Sequence, residues 1–200
     1  MHKIRSFAPH DMKKLIETLG GVDEFNARLK YLHESGLLYI GNEPALLTIY
    51  LYHYTGRPGL SSAQAHAYIP SVFNNSLAGI PGNDDSGAMG AFTAFTMMGL
   101  YPVHGQDVYL IIPPFFKEAR IRNPLTGNIA TIRNTNFDPN HEAIYIKGIE
   151  RDGKPWTKNW IGHDFFTDGG LLELTLAKEE TDWGTAEEDL PPSLPLDLKF

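Results

Sequence analysis

Gly79-Ile80-Pro81-Gly82-Asn83-Asp84-Asp85-Ser86-Gly87-Ala88-Met89 is a glycine-flanked turn with three polar residues in a row, and it runs into the apolar segment 91–102. A turn that feeds a buried helix holds short carboxylates on rigid backbone, where chemistry is often built. A plainer reading is that an aspartate caps the helix N-terminus. One acid suffices for a cap, and here a second acid and an asparagine stand beside it.

Upstream of this turn the chain reads as helices. Asp11 is placed to cap a helix over 12–19, and Gly20-Gly21 stops it. Asp23 is placed to cap a second, with Phe25, Leu29 and Leu32 on one face, ending near Gly36. Pro44 suits the first turn of a third, Ala45 to Tyr54, which is apolar nearly all round and so expected to be buried. Gly56-Arg57-Pro58-Gly59 reads as its stop, and Ser61 or Ser62 as the start of a fourth helix in which Pro70 predicts a kink or an early end. The fifth follows the acidic turn and ends before Pro102. Short loops predict antiparallel packing.

Downstream the pattern changes. Segments 108–112, 119–122, 130–133, 143–147 and 171–176 are short, β-branched or alternating, and separated by turn clusters. Helices followed by strands predict an α+β architecture. The expected division is a helical part over 1–103, a β-rich part over 104–178 with its boundary near His104-Gly105-Gln106, and an acidic, proline-rich tail over 179–200. That tail reads as a surface or disordered segment.

Size and charge narrow the function. The 200 residues, 42% of them hydrophobic, suffice for one packed domain or two small ones. The net charge of −7 argues against nucleic acid as a partner. Most of it is local: without the six acids of 179–190, 18 acids face 17 bases. No run is long enough to span a membrane, and the N-terminus does not resemble a signal peptide. The chain has no cysteine, hence no thiolate chemistry. It has one glycosylation sequon, Asn74-Asn75-Ser76, which matters if the protein is secreted.

Gly41-Asn42-Glu43-Pro44 and Gly82-Asn83-Asp84-Asp85 are polar turns at corresponding places, each before a buried helix. In antiparallel packing these starts emerge at one end, so Glu43 and Asp85 are placed to share a mouth. Carboxylate, amide and carbonyl oxygens suit calcium or magnesium rather than zinc. No histidine pair has zinc-helix spacing, and His53 and His66 read as helix-face residues. Tyr50, Tyr52 and Tyr54 have the spacing of core residues, with a sugar pocket as the alternative.

The series Phe7-Ala8-Pro9-His10-Asp11-Met12, Gly20-Gly21, Gly41-Asn42-Glu43-Pro44, Gly56-Arg57-Pro58, the acidic turn 79–89 and Gly99-Leu100-Tyr101-Pro102 resembles, in order and spacing, the C-terminal part of glycoside hydrolase family 92. These are calcium-dependent exo-α-mannosidases, and the likeness to fungal members extends over about 5–176. The resemblance implies the C-terminal half of an (α/α)6 barrel followed by strands. It also implies inverting removal of terminal α-linked mannose from N-glycan-type mannosides.

By the same resemblance Asp85, with Asp84 as the adjacent alternative, matches the family's catalytic base. Asn42 and Glu43 match calcium (Ca2+) or sugar ligands, and His10, Asp11 and Asn83 match residues near the substrate. The family's general acid lies shortly upstream of Pro-His-Asp, where His2-Lys3-Ile4-Arg5-Ser6 offers none. The isolated chain is therefore expected to turn over little and to expose apolar faces, either as a truncated fragment or as a chain that assembles with a separate N-terminal piece. The alternative is a non-catalytic, calcium-dependent mannose-binding or assembly protein. Full-length relatives of this kind are expected to be secreted.

Overall fold

The computed structural model describes residues 8–193; Phe7, the segment His2–Ser6 and the tail residues 194–200 lie outside it. Asp11 begins α1 (Met12–Thr18) by accepting the Lys14 amide at 3.2 Å, and Gly20 and Gly21 leave it with positive φ. In α2 (Val22–Glu34) Gly21 holds the cap position. Asp23, expected there, sits in the first turn, where its charge still complements the helix dipole. Phe25, Leu29 and Leu32 are buried as one stripe.

The apolar third helix is a 3₁₀ run, Leu47–Thr55, after a short 3₁₀ turn Glu43–Ala45. Every residue of Leu47–Thr55 is buried, Tyr50, Tyr52 and Tyr54 included, so these tyrosines are core rather than pocket. β-branched and aromatic residues crowd an α-helix, which lowers its advantage here. Gly56 ends the run at φ 71°, with the Arg57 amide reaching back to the Tyr52 carbonyl at 2.9 Å.

The expected break at Gly56–Gly59 is shorter than it reads, because α3 (Pro58–Val72) starts on Pro58 itself. Proline at a helix start loses an amide that would have no partner there. Pro70 falls in the last turn, and the helix ends two residues later. α4 (Ala88–Met98) follows the acidic turn and closes on Gly99 at φ 89°.

Gly99 leads into a strand that the helical reading misses. β1 (Leu100–Pro102), β2 (Tyr109–Ile111) and β7 (Trp160–Ile161) form an antiparallel sheet in the order β1-β2-β7. Pro102 is tolerated because β1 is an edge strand. Alternation along the hairpin serves two cores. The Tyr101–Leu110 pair faces the helices, and the Leu100–Ile111 pair faces the second sheet.

That second sheet has the order β3-β4-β8-β5-β6: β3 (Glu118–Arg122), β4 (Ile129–Asn134), β8 (Leu171–Ala177), β5 (Tyr145–Arg151) and β6 (Lys154–Trp156). Among the described strands only β4 and β8 pair in parallel. A bulge between Ile146 and Gly148 keeps Ile146 and Ile149 on the buried face of β5.

The tail is not a free segment over its described part. Trp183, Trp156 and Trp160 each give an indole N–H to a carbonyl, those of Trp156, Trp160 and Leu190. Arg57 grips Glu180 with two bonds, at 3.1 and 2.9 Å. Its acidic and proline-rich composition masks these anchors, which depend on distant partners.

His53 is fully buried between two carbonyls, Ile111 at 2.9 Å from Nε2 and Tyr50 at 3.2 Å from Nδ1. A neutral ring has one N–H, and the shorter contact takes it. Burial lowers this histidine to about 4. In the unfolded chain it takes up its proton near the ordinary value of 6.5. The unfolded state therefore binds more protons below that point. His53 adds stability above about pH 6.5 and loses it as the pH falls toward 4, a change on the order of 2–3 kcal/mol. Melts between pH 7 and 4 should show this slope, and His53→Gln should remove its share, leaving that of His33 and His66, which burial also lowers to about 4.

Candidate active site

Two glycines bring the polar turns together. A Cβ on Gly82 would stand 2.2 Å from the Gly41 carbonyl oxygen and 2.8 Å from Gly41 Cα, and one on Gly41 would stand 2.6 Å from the Pro81 oxygen. Any side chain at either position would force the backbones apart. The Tyr39 hydroxyl donates to the Pro81 carbonyl and pins one turn to the other. Nothing in the sequence singles out Tyr39, because its partner lies 42 residues away.

In the first turn Asn42 is extended, and its carbonyl accepts the Ala45 amide at 2.8 Å. Glu43 is half-buried, and its Oε1 is buried with no hydrogen-bond partner. A carboxylate oxygen shielded from water in this way costs free energy until a cation or a donor reaches it.

The second turn divides its acids. Asp84 Oδ1 accepts the Gly90 amide at 3.0 Å and its carbonyl accepts the Ala88 amide at 2.6 Å, so Asp84 satisfies first-turn amides of α4 from upstream, with Gly87 in the cap position itself. Asp85 is exposed and left-handed at φ 43°, followed by Ser86 at 64° and Gly87 at 94°. Left-handed backbone costs roughly 1–2 kcal/mol for a residue with a Cβ, least for Asp and Asn. Strain of this kind gathers where a side chain must be aimed. Among the described residues none donates a hydrogen bond to the Asp85 carboxylate. Asn83 is exposed beside it.

His10 and Asp11 stand elsewhere in the bonding pattern. Asp11 serves as the α1 cap, His10 is exposed, and Gln106 at the β1–β2 hairpin donates to the Pro9 carbonyl. Among the described residues no hydrogen bond joins His10 or Asp11 to either polar turn. His66 bonds the Pro113 carbonyl at 2.9 Å and stacks on Phe115.

No group of three His, Cys, Asp or Glu that could hold a metal occurs among the described residues. Calcium takes six to eight oxygens. The orphaned Glu43 Oε1 fits as one of them, with the Asn42 oxygens beside it. The rest of such a shell would come from carbonyls, water and sugar hydroxyls. Apolar side chains lie exposed on both approaches to the two turns: Leu37 and Tyr39 on one, Leu77 and Ile80 on the other.

The fold is that of solved mannosidases. A family GH92 alpha-mannosidase from Bacteroides thetaiotaomicron superimposes with a TM-score of 0.90 at 26% identity, over 98% of this chain and 27% of that one. The same bacterial protein in complex with mannoimidazole gives 0.90 at 24% identity, over 98% of this chain and 28% of that one. A family GH92 inverting mannosidase from that organism gives 0.84 at 26% identity, over 92% of this chain and 28% of that one. The chain thus has the α+β architecture of the C-terminal region of such enzymes, which makes its class that of the glycoside hydrolases.

The glycosyl hydrolase family 92 catalytic domain model matches residues 2–178, and the chain belongs to that family. An uncharacterized secreted glycosidase of Arthroderma benhamiae is 59% identical over 193 residues, which are 96% of this chain and 25% of that protein. The chain therefore spans about a quarter of the length of this curated relative. Among the described residues no helix is long and apolar enough to cross a membrane.

The two neighbouring acids should behave oppositely. Asp84→Ala should cost about 1 kcal/mol in a denaturant melt through the lost cap. Asp85→Gly should leave stability unchanged or slightly raised, because it releases left-handed strain. A clear loss from Asp85→Gly would make that residue structural. Tyr39→Phe keeps the ring on Gly41 but drops the bond to Pro81. Hydrogen exchange should then show the Ala88 and Gly90 amides, which Asp84 accepts, about fivefold less protected, as expected for a net bond of roughly 1 kcal/mol.

Proposed function

We propose that this chain supplies the water-activating side of an inverting α-mannosidase site, acting with calcium on terminal α-linked mannose of N-glycan-type mannosides. One observation carries the reading. Glu43 leaves a buried carboxylate oxygen unpartnered, in a turn packed backbone to backbone on the one that holds Asp85 in left-handed conformation. Membership of family 92 supports a glycosidase, and the bacterial relatives' descriptions support mannose and inversion.

In an inverting hydrolysis a carboxylate takes a proton from water, whose oxygen attacks C1 opposite the leaving group. The C1–O bond breaks, and a second carboxyl group protonates the departing oxygen. We assign the first role to Asp85, whose backbone is left-handed and whose carboxylate accepts no hydrogen bond among the described residues, and leave Asp84 as a cap. Asn83 is assigned to sugar hydroxyls; His10 and the Asp11 oxygen not used in capping are the outer candidates for the same task. Asn42 and Glu43 are assigned to calcium, which when bound would draw in sugar hydroxyls and favour a distorted ring.

No described residue is assigned the acid's part. Hydrolysis in this proposal needs the remainder of the enzyme, and the chain alone turns over little. The description of the fungal relative as secreted supports export.

Two measurements test this. Calcium should raise the melting temperature of the chain above its value in EDTA, with a further rise on adding mannose, because a ligand of the folded state shifts the midpoint. Glu43→Ala should abolish both shifts, and a calcium response that survives it would sink the metal assignment. Supplied with the upstream part of a family 92 enzyme, the chain should release mannose as the β-anomer, with Asp85→Asn reducing the rate about 10²–10⁴-fold. Calcium-dependent mannose binding that never becomes hydrolysis would favour a binding protein.

A further inference from the structure

The loop between α3 and α4 holds the chain's single Asn-X-Ser/Thr triplet, Asn74-Asn75-Ser76. We propose that Asn74 carries an N-linked glycan. The proposal rests on the export reading above, and the test separates the two.

The local geometry keeps the reactive nitrogen out of the fold. The Asn74 Oδ1 accepts the Ser76 amide at 3.0 Å, an Asx turn. The Asn74 amide donates to the Gly79 carbonyl at 2.9 Å, and the Gly79 amide to the Ser76 carbonyl at 3.0 Å. A Cβ on Gly79 would stand 1.9 Å from the Asn74 carbonyl oxygen, so the closure needs glycine. The loop spends Oδ1 and the backbone. Among the described residues neither the Asn74 Nδ2 nor the Ser76 hydroxyl has a hydrogen-bond partner. These are the nitrogen that takes the sugar and the hydroxyl that the transfer reaction reads.

Asn74, Asn75, Ser76 and Leu77 are all exposed. A sugar on Nδ2 therefore displaces no bond and meets no packed side chain, and it covers Leu77, whose whole side chain is otherwise in solvent. Beside the loop, Phe73 and Phe115 line a cleft of about 750 Å³ with His66 and His141, which gives the first sugars ring faces to rest on.

The reaction needs a donor oligosaccharide on a lipid diphosphate. The Asn74 Nδ2 attacks the sugar C1 and loses a proton. The C1–O bond breaks, and the lipid diphosphate leaves with the electron pair; nothing is oxidised or reduced.

The full chain would be produced in yeast behind an added export signal. All signal-cleaved protein, secreted or retained, would be compared by intact mass before and after enzymatic removal of N-glycans. A loss equal to one oligosaccharide is expected, absent in Asn74→Gln and in Ser76→Ala and kept in Asn75→Gln. Unglycosylated, signal-cleaved wild-type chain would overturn the site. Sugar on the yeast product but none on the protein from its natural source would overturn export, and with it the modification in the native protein.

Discussion

His53 and Asn159 join the three parts of the chain through backbone groups. The buried His53 ring donates to the Ile111 carbonyl of β2, the Ile111 amide donates to the Asn159 carbonyl at 3.0 Å, and the Asn159 Nδ2 returns to the His53 carbonyl at 3.1 Å. The same Nδ2 also reaches the Gly184 carbonyl at 2.8 Å, and the Asn159 amide the Asp189 carbonyl at 3.0 Å. The 3₁₀ run, the three-stranded sheet and the tail thus close one buried circuit. Each bond adds only about 1 kcal/mol net, whereas opening one strands a buried polar group at a cost of roughly 1–3 kcal/mol. The circuit works as a specificity device: alternative packings of the two cores leave its members unpaired.

On the proposed assignment, the acidic turn keeps structural and chemical duties apart. Asp84 pays the helix start its capping bond and is thereby immobilised. Asp85, next in the chain, is turned left-handed and meets solvent. A sequence with one acid would have to choose between ending the helix well and presenting a free carboxylate. Two adjacent acids allow both, and Gly87 completes the left-handed path into α4. This explains why a capping motif here contains more acid than a cap requires.

Much of this was legible because it is local. Asp11, Gly20-Gly21, Gly56 and Gly99 mark helix ends by chemistry that needs no distant partner, and the alternating strands declare their buried faces. Contacts over long separations were not. β1 is three residues long and becomes a strand only through β2, and the described tail is held by distant partners, among them the tryptophans, Asn159 and Arg57. The pinning of the acidic turn by Tyr39 was hidden for the same reason. The 3₁₀ winding of Leu47–Thr55 was invisible because a run apolar nearly all round carries no clear period.

That winding has a consequence for the site. The 3₁₀ run and α4 are both fixed at their C-terminal ends on the β1–β2 hairpin, through His53 to Ile111 and through the Ile112 amide to the Gly99 carbonyl at 3.0 Å. They are cross-linked on the way by the Tyr50 hydroxyl and Thr96 Oγ1 at 2.7 Å. A 3₁₀ helix rises about 2.0 Å per residue and an α-helix about 1.5 Å. From His53 back to Glu43 the tighter winding therefore spans roughly 20 Å, where an α-helix would span roughly 15 Å. The α-helical rise of α4, Ala88–Met98, gives roughly 16 Å from the same hairpin to the end of the acidic turn. The 3₁₀ winding thus carries Glu43 about 5 Å further from the hairpin than an α-helix of the same length would. That extra reach serves the close approach of Gly41 to Gly82.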